Sequence, residues 1–206
     1  MAKKNARNTR GRIVNAAWKL FYEQGYEDTT VEEIIDLSKT SKGSFYHYFD
    51  GKDALLSTLS TLFDEKYEEL IEQLDPDMTA MDTLLFLNRE LFGMIENSIS
   101  IELLTRLLST QLITNGEKHL LDRDRIYYKL LRKIIAGGQE RGQLTTRLSV
   151  SEMVKRYALC ERALMYDWCL CGGEYPLCDY AARQMPHFLC DFLPPPSSKN
   201  GSGENP

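Results

Sequence analysis

The residues of this chain best suited to chemistry lie in one short stretch, Lys42-Gly43-Ser44-Phe45-Tyr46-His47-Tyr48-Phe49. At helical period, Phe45, Tyr48 and Phe49 share one face at i, i+3, i+4 and pack inward. The opposite face presents Gly43, Ser44, Tyr46 and His47, with Lys42 in the first turn. That outward set holds a cation, hydroxyls, an imidazole and a glycine, and no carboxylate. Each type has a use against a DNA duplex. Lysine reaches a guanine edge or a phosphate. Serine bonds a base or a phosphate, and tyrosine and histidine donate to phosphate oxygens and fix the register. Gly43 lets backbone and base approach closely, although a helical glycine costs about 1 kcal/mol relative to alanine. Thr30 and Lys52 stand near helix N-termini, which already favour phosphate. The plainer reading of the same residues is an aromatic core with a solvated polar face.

The elements that must hold this face are helices. Ile13, Ala16, Ala17, Leu20 and Phe21 form one apolar stripe at i, i+3, i+4, i+7, i+8, which Gly25 closes as a C′ residue. Thr30-Val31-Glu32-Glu33 is a capping box that opens a second helix, from Val31 to about Leu37. Ser38-Lys39-Thr40 is a short polar connection, and Ser41 or Thr40 caps a third helix, Lys42 to Phe49. Three short helices with a tight turn between the second and third describe a helix-turn-helix. A fourth helix is expected from about Lys52 to Leu74, belonging partly to this unit and partly to the rest. Further helical patterns lie at about 79–96, 99–114, 117–141, 149–172 and 177–193. No strand alternation and no fixed repeat stand out. The expectation is an all-α chain of about nine helices, with a small unit at 1–52, a larger one at 53–193 and a disordered tail at 194–206.

Charge divides along the same line. The chain has 206 residues, with 25 Lys+Arg, 30 Asp+Glu and a net charge of −5. Residues 1–52 hold 9 basic and 7 acidic side chains, +2, and residues 53–206 hold 16 and 23, −7. Lys3, Lys4, Arg7, Arg10 and Arg12 open the chain as a basic arm without an acid. It can be a footprint for phosphate or a solvated tail. No apolar run of about 18 residues is present, which excludes a membrane-spanning helix. No apolar segment follows the basic start, which argues against a secretory signal and for the cytoplasm.

The five cysteines, an odd number without a secretory signal, point to a reducing compartment. They include no C-x-x-C, and Cys169 and Cys171 would point about 200° apart on a helix, so they could not share a metal. His47, His119 and His187 lack ligand spacing. With no phosphate loop, H-E-x-x-H or nucleophile elbow, no enzyme, metal or cofactor is expected.

Thr9-Arg10, Ile13, Ala16-Ala17, Leu20-Phe21, Gly25-Tyr26, Thr29-Thr30-Val31, Ile34, the run Ser41 to Phe49, Lys52 and Leu55-Leu56 resemble, without a gap, the signature of TetR/AcrR-family transcriptional regulators. The resemblance implies DNA contacts at Thr30, Lys42, Gly43, Ser44, Tyr46, His47 and Lys52, a homodimer on a palindromic operator, and a C-terminal domain that binds a small-molecule effector and dimerises. The chain departs from the family in the turn, where Ser38-Lys39-Thr40 replaces the usual Ala-Gly-Val. Lys39 must then adopt φ > 0, at about 1 kcal/mol for a non-glycine residue.

Candidate pocket residues are Phe63, Tyr67, Phe86, Phe92, Met94, Leu103, Arg106, Leu107, Tyr127, Tyr128 and Trp168. Arg106 stands out, with Glu102 at i−4. It is either half of a surface ion pair or a buried cation for an anionic ligand. Two broad stripes, Val150, Met153, Val154, Tyr157, Ala158, Glu161, Met165, Trp168 and Leu177, Tyr180, Ala181, Met185, Phe188, Leu189, Phe192, serve either a partner subunit or an internal core. The competing function is a DNA-binding protein controlled by thiol oxidation or by a protein partner.

Overall fold

Every regular element in the described part of the chain is helical. The computed structural model describes residues 2–113 and 118–195, with side chains from residue 9 onward. The side chains of Lys3, Lys4 and Arg7, and the tail from residue 196, lie outside the described residues.

The first unit is built from α1 (Ala2–Gln24), α2 (Val31–Ser38) and α3 (Lys42–Tyr48). The backbone of the basic segment continues α1 as helix and is not a separate arm. Gly25 ends α1 at φ 89°, a left-handed conformation open to glycine. Ile13, Ala17, Phe21, Ile34, Phe45, Phe49, Leu55 and Leu56 form the buried core of this unit. Leu103, from a much later helix, packs into the same cluster. The body thus reaches into the first unit, and the boundary expected at residue 52 cuts through a continuous core.

The single helix expected from 52 to 74 is two, α4 (Lys52–Leu56) and α5 (Leu59–Gln73). Hydroxyls cause the break. Ser57 donates to Ala54 O at 2.7 Å and Thr58 to Leu55 O at 2.6 Å, so side chains compete with the helical ladder. Trp18 Nε1 then donates to Thr58 Oγ1 at 2.8 Å and pins the break against α1.

The body continues with α6 (Ala80–Ser98), α7 (Ile101–Ile113), α8 (Ile126–Glu140), α9 (Val150–Leu170) and α10 (Leu177–Phe188), plus 3-10 turns at His119–Leu121 and Cys190–Phe192. The helix expected from residue 117 starts only at Ile126. Asp122 Oδ1 accepts from Asp124 N at 2.9 Å, a local turn that excludes helix. Arg125 is drawn to Asp64 of α5, donating at 3.1 Å from Nε and 2.9 Å from Nη2. α6 packs on α5, α8 and α10, and α9 packs on α7, α8 and α10. Gly138 permits the α6–α8 contact, because a Cβ there would lie 2.5 Å from Ala80 Cβ. Among the described residues, no helix is long and apolar enough to cross a membrane.

Candidate functional site

α3 is placed by caps written in its own sequence. Thr30 Oγ1 accepts from Glu33 N at 3.2 Å, and Glu33 Oε2 accepts from Thr30 N at 2.8 Å, which completes the capping box of α2. These bonds hold the Glu33 carboxyl below its usual range, the Thr30 amide foremost. Ser41 is the cap of α3, with Ser44 N donating to its Oγ at 3.1 Å. Between the helices Lys39 sits at φ 52°, ψ 47°, the only non-glycine residue with positive φ among those described. The position read from the missing glycine is therefore left-handed. Lys39 N donates to Asp36 O and Thr40 N to Ile35 O, which closes α2.

The face opposite Phe45 carries Lys42, Gly43, Tyr46 and His47. Phe45 is fully buried and Phe49 nearly so, Tyr48 is half-buried, and Tyr46 is 46% exposed. Lys42 Nζ pairs with Glu32 at 3.2 Å, with both side chains 68% exposed. Such a pair is weak enough to exchange for another anion. Gly43 meets nothing closer than Ser41 Oγ at 4.0 Å, so no contact within the fold requires a glycine there.

Lys52 behaves differently from the other expected contacts. Its Nζ donates to the carbonyls of Tyr26 at 2.6 Å, Glu27 at 3.2 Å and Thr29 at 2.8 Å, and lies 4.3 Å from the centroid of the Tyr26 ring. An ammonium has three donors, and all three are spent. Lys52 ties α4 to the α1–α2 loop and presents no free donor outward.

Arg106 is not in a body pocket. It ion-pairs with Glu27 of the α1–α2 loop, pairs with Glu102 at 3.2 Å, and lies over the Tyr26 ring at 4.7 Å. The surface pair with Glu102 is present, but it is half of a junction between α7 and the first unit. The Tyr26 hydroxyl donates to Asp53, and burial together with that bond raises its pKa.

Inside the body, Phe63, Tyr67 and Tyr127 line one small cavity of about 30 Å³, with Leu91, Leu120, Arg125, Ala158, Glu161, Arg162 and Met165. Tyr128 lines an adjoining surface cleft of about 370 Å³ that shares Ala158 and Arg162. The other pocket candidates go elsewhere. Phe92 and Leu107 are fully buried core, and Phe86 packs against it. Leu103 belongs to the first unit's core. Met94 faces a surface hollow with Lys66 and Arg89. Trp168 donates from Nε1 to Tyr175 O at 2.8 Å, which fastens the end of α9 to the loop beyond it.

Sequence reasoning passed over Glu161, counted within an apolar stripe. It is 2% exposed and accepts from Asn88 Nδ2 at 3.0 Å and Tyr127 OH at 2.6 Å. Burial pushes its carboxyl above the usual range despite those bonds. The Tyr67 hydroxyl beside it is buried without a hydrogen-bond partner. A carboxylate recurring with core residues at helical spacing was the available signal.

The two C-terminal stripes face mainly inward. Met153, Val154, Tyr157, Ala158, Glu161, Met165 and Trp168 are buried in the body's own core, as are Leu177, Ala181, Met185, Leu189 and Phe192. Val150 and Tyr180 are partly buried against that core, and Phe188 is 45% exposed. The free apolar face of α9 is the other one, with Leu159 56% and Leu170 85% exposed and Ala163 exposed between them. No group of three or more His, Cys, Asp or Glu among the described residues could hold a metal. Burial raises the thiol pKa of Cys160, Cys169 and Cys178, which disfavours the reactive thiolate.

With this geometry in place, residues 13–59 match the profile of bacterial regulatory proteins of the tetR family. The regulator QacR of Staphylococcus aureus is 36% identical over 62 residues, 30% of this chain and 33% of QacR. The chain spans between about a fifth and a third of the length of the first curated relatives it matches. Similarity of fold extends much further. The FadR repressor of Thermus thermophilus, solved with lauroyl-CoA, superposes with a TM-score of 0.71 at 22% identity over 93% of this chain and 99% of that one. FadR of Bacillus subtilis, solved with stearoyl-CoA, gives 0.61 at 20% identity over 89% and 99%. The N-terminal signature and the all-helical architecture agree: residues 13–59 carry the tetR-family signature, and the chain as a whole has the fold of the two FadR structures.

Proposed function

We propose that this protein is a ligand-responsive transcriptional regulator, a repressor, that binds a palindromic DNA operator as a homodimer through α3. The observation that carries this reading is Gly43. Gly43 lies in the first turn of α3 with no left-handed φ to require it; a glycine at such a site costs about 0.4–1 kcal/mol relative to alanine, and nothing inside the fold needs the space it leaves. A partner approaching from outside does, and a base edge is such a partner. Lys42, Ser44, Tyr46 and His47 surround the gap with donors. Thr30, at the N-terminus of α2, adds a helix end that favours phosphate. Lys52 contributes by positioning the loop before Thr30.

Two recognition helices are needed to read two half-sites, about 34 Å apart for one helical turn. A symmetric dimer supplies them, and the exposed Leu159–Ala163–Leu170 face of α9 is the surface offered to a partner subunit. Effector binding in the body changes DNA affinity by favouring one arrangement of α5 and α7, the helices that contact or continue into the first unit. Coupling of this kind is typically about 1–3 kcal/mol.

The test is selection of duplexes from a random pool by the full-length protein, followed by titration against salt. Enrichment of a palindrome, with affinity falling by about 0.9 log units per log unit of salt for each phosphate contacted, supports the reading. Failure to enrich any symmetric sequence refutes it.

A further inference from the structure

The cleft between α8 and α9 is cationic, on a body whose net charge is −7. Arg123, Arg132, Lys155 and Arg162 line it, and no carboxylate does. Among the described residues none of the four forms an ion pair. Arg132 Nη2 donates to Arg123 O at 2.9 Å, and Arg162 Nη1 to Tyr128 OH at 3.3 Å, so two guanidiniums are aimed by neutral acceptors and keep donors free. Four like charges gathered around about 370 Å³ repel one another. The arrangement is balanced by an anion of more than one charge, and guanidiniums match phosphate oxygens in pairs.

The cleft does not end at the charges. Ala158 and Arg162 separate it from the buried cavity, whose walls are Phe63, Leu91 and Met165 and into which the unpartnered Tyr67 hydroxyl is buried. That cavity, about 30 Å³, has room for no more than a water molecule. Anything longer enters only by moving the helices that wall the cavity, α5, α6, α8 and α9, and α5 follows α4 of the first unit after two residues.

We infer that this cleft and cavity form one ligand site for an amphipathic polyanion, with a phosphate-bearing head held by Arg123, Arg132, Lys155 and Arg162 and an apolar chain directed past Ala158 toward Phe63 and Met165. The inference rests on the ligand-responsive reading above and names the ligand class and its residues. Opening the cavity is the differential interaction through which such a ligand shifts the protein between states.

Isothermal titration of the full-length protein with lauroyl-CoA, free CoA and laurate separates head from tail. Lauroyl-CoA is expected to bind at least tenfold more tightly than either fragment. The double variant Arg132→Glu/Lys155→Glu should weaken lauroyl-CoA binding at least thirtyfold, while laurate binding changes less than threefold. If charge reversal perturbs the fold, as read by circular dichroism, Arg132→Gln/Lys155→Gln serves instead, with at least a tenfold loss expected. Absence of lauroyl-CoA binding to the wild type, or unchanged binding by a folded double variant, overturns the inference. Operator titration of the ligand-free protein is the separate readout for the function proposed above. Loss of that reading with lauroyl-CoA binding intact leaves this site standing.

Discussion

Arg106 lies over the ring of Tyr26, its guanidinium carbon 4.7 Å from the centroid, and so joins α7 of the body to the loop that precedes α2. Glu27 and Glu102 hold the same guanidinium, and Lys52 lies over the same ring at 4.3 Å. A half-exposed cation–π and ion-pair cluster of this kind is worth about 1 kcal/mol. Arg106→Ala should therefore lower the melting temperature by about 2–4 °C at this chain length. It should also speed amide exchange in residues 25–30 more than in α9. Differential scanning calorimetry and hydrogen exchange check both, and uniform exchange across the chain would show that the contact does not hold this loop.

Gly43→Ala should move stability and binding in opposite directions. The new methyl meets open space, with Ser41 Oγ at 4.0 Å as its nearest neighbour. Lower unfolded-chain entropy then raises stability by about 0.4–1 kcal/mol. Operator affinity should fall at least tenfold, because the methyl occupies the gap proposed to face the duplex. Urea unfolding and fluorescence anisotropy on one preparation read the two effects.

Leu159 and Leu170 are 56% and 85% exposed, while the larger apolar residues Met153, Tyr157, Leu164, Met165 and Trp168 of α9 are buried. Leu159→Asp/Leu170→Asp should convert the proposed dimer to a folded monomer and lose operator binding with it. Light scattering after size exclusion gives the mass, and circular dichroism gives the helicity. A dimer that survives both substitutions would place the subunit interface elsewhere.

Glu161 gives stability a pH dependence of definite sign. Burial raises its folded carboxyl pKa above the ordinary 4.5, against the hydrogen bonds from Asn88 and Tyr127, with Arg162 and the hydroxyls of Tyr67, Tyr127 and Tyr157 as its other charged or titratable neighbours. Between those two values the folded state binds more protons than the unfolded one, so stability falls as pH rises. The contribution is fully present below the ordinary glutamate value and lost as pH passes through the raised one. Glu161→Gln removes the titration. The wild type should lose more urea stability than Glu161→Gln between pH 4 and pH 8, and equal losses would contradict a raised carboxyl.

The first unit was legible because its determinants are local. Thr30 and Glu33 cap across three residues, Ser41 caps its own helix, and Lys39 stands where the turn geometry demands positive φ. The functional readings that changed depend on distance along the chain. Lys52 finds its acceptors 23–26 residues away, and Arg106 reaches back to Tyr26 and Glu27. Neither partner follows from helical spacing. The break at Ser57–Thr58 and the late start of α8 come from side chains bonding backbone, which an apolar periodicity does not register. On α9 the period was right, but the broad stripe faces the internal core, and the narrower one through Leu159 is left free. Arg132 and Lys155 converge only because α8 packs on α9.

Contact between the outward face of α3 and DNA is measured by the affinity of Tyr46→Ala for the selected operator at fixed salt, with helicity and mass taken on the same sample. Tyr46 is 46% exposed and rests edge-on against Phe45, 5.3 Å between centroids. Tyr46→Ala should keep native helicity and the wild-type mass and lose at least tenfold in affinity, about 1.4 kcal/mol. A folded Tyr46→Ala protein of wild-type mass that binds the operator as tightly as the wild type would contradict that contact.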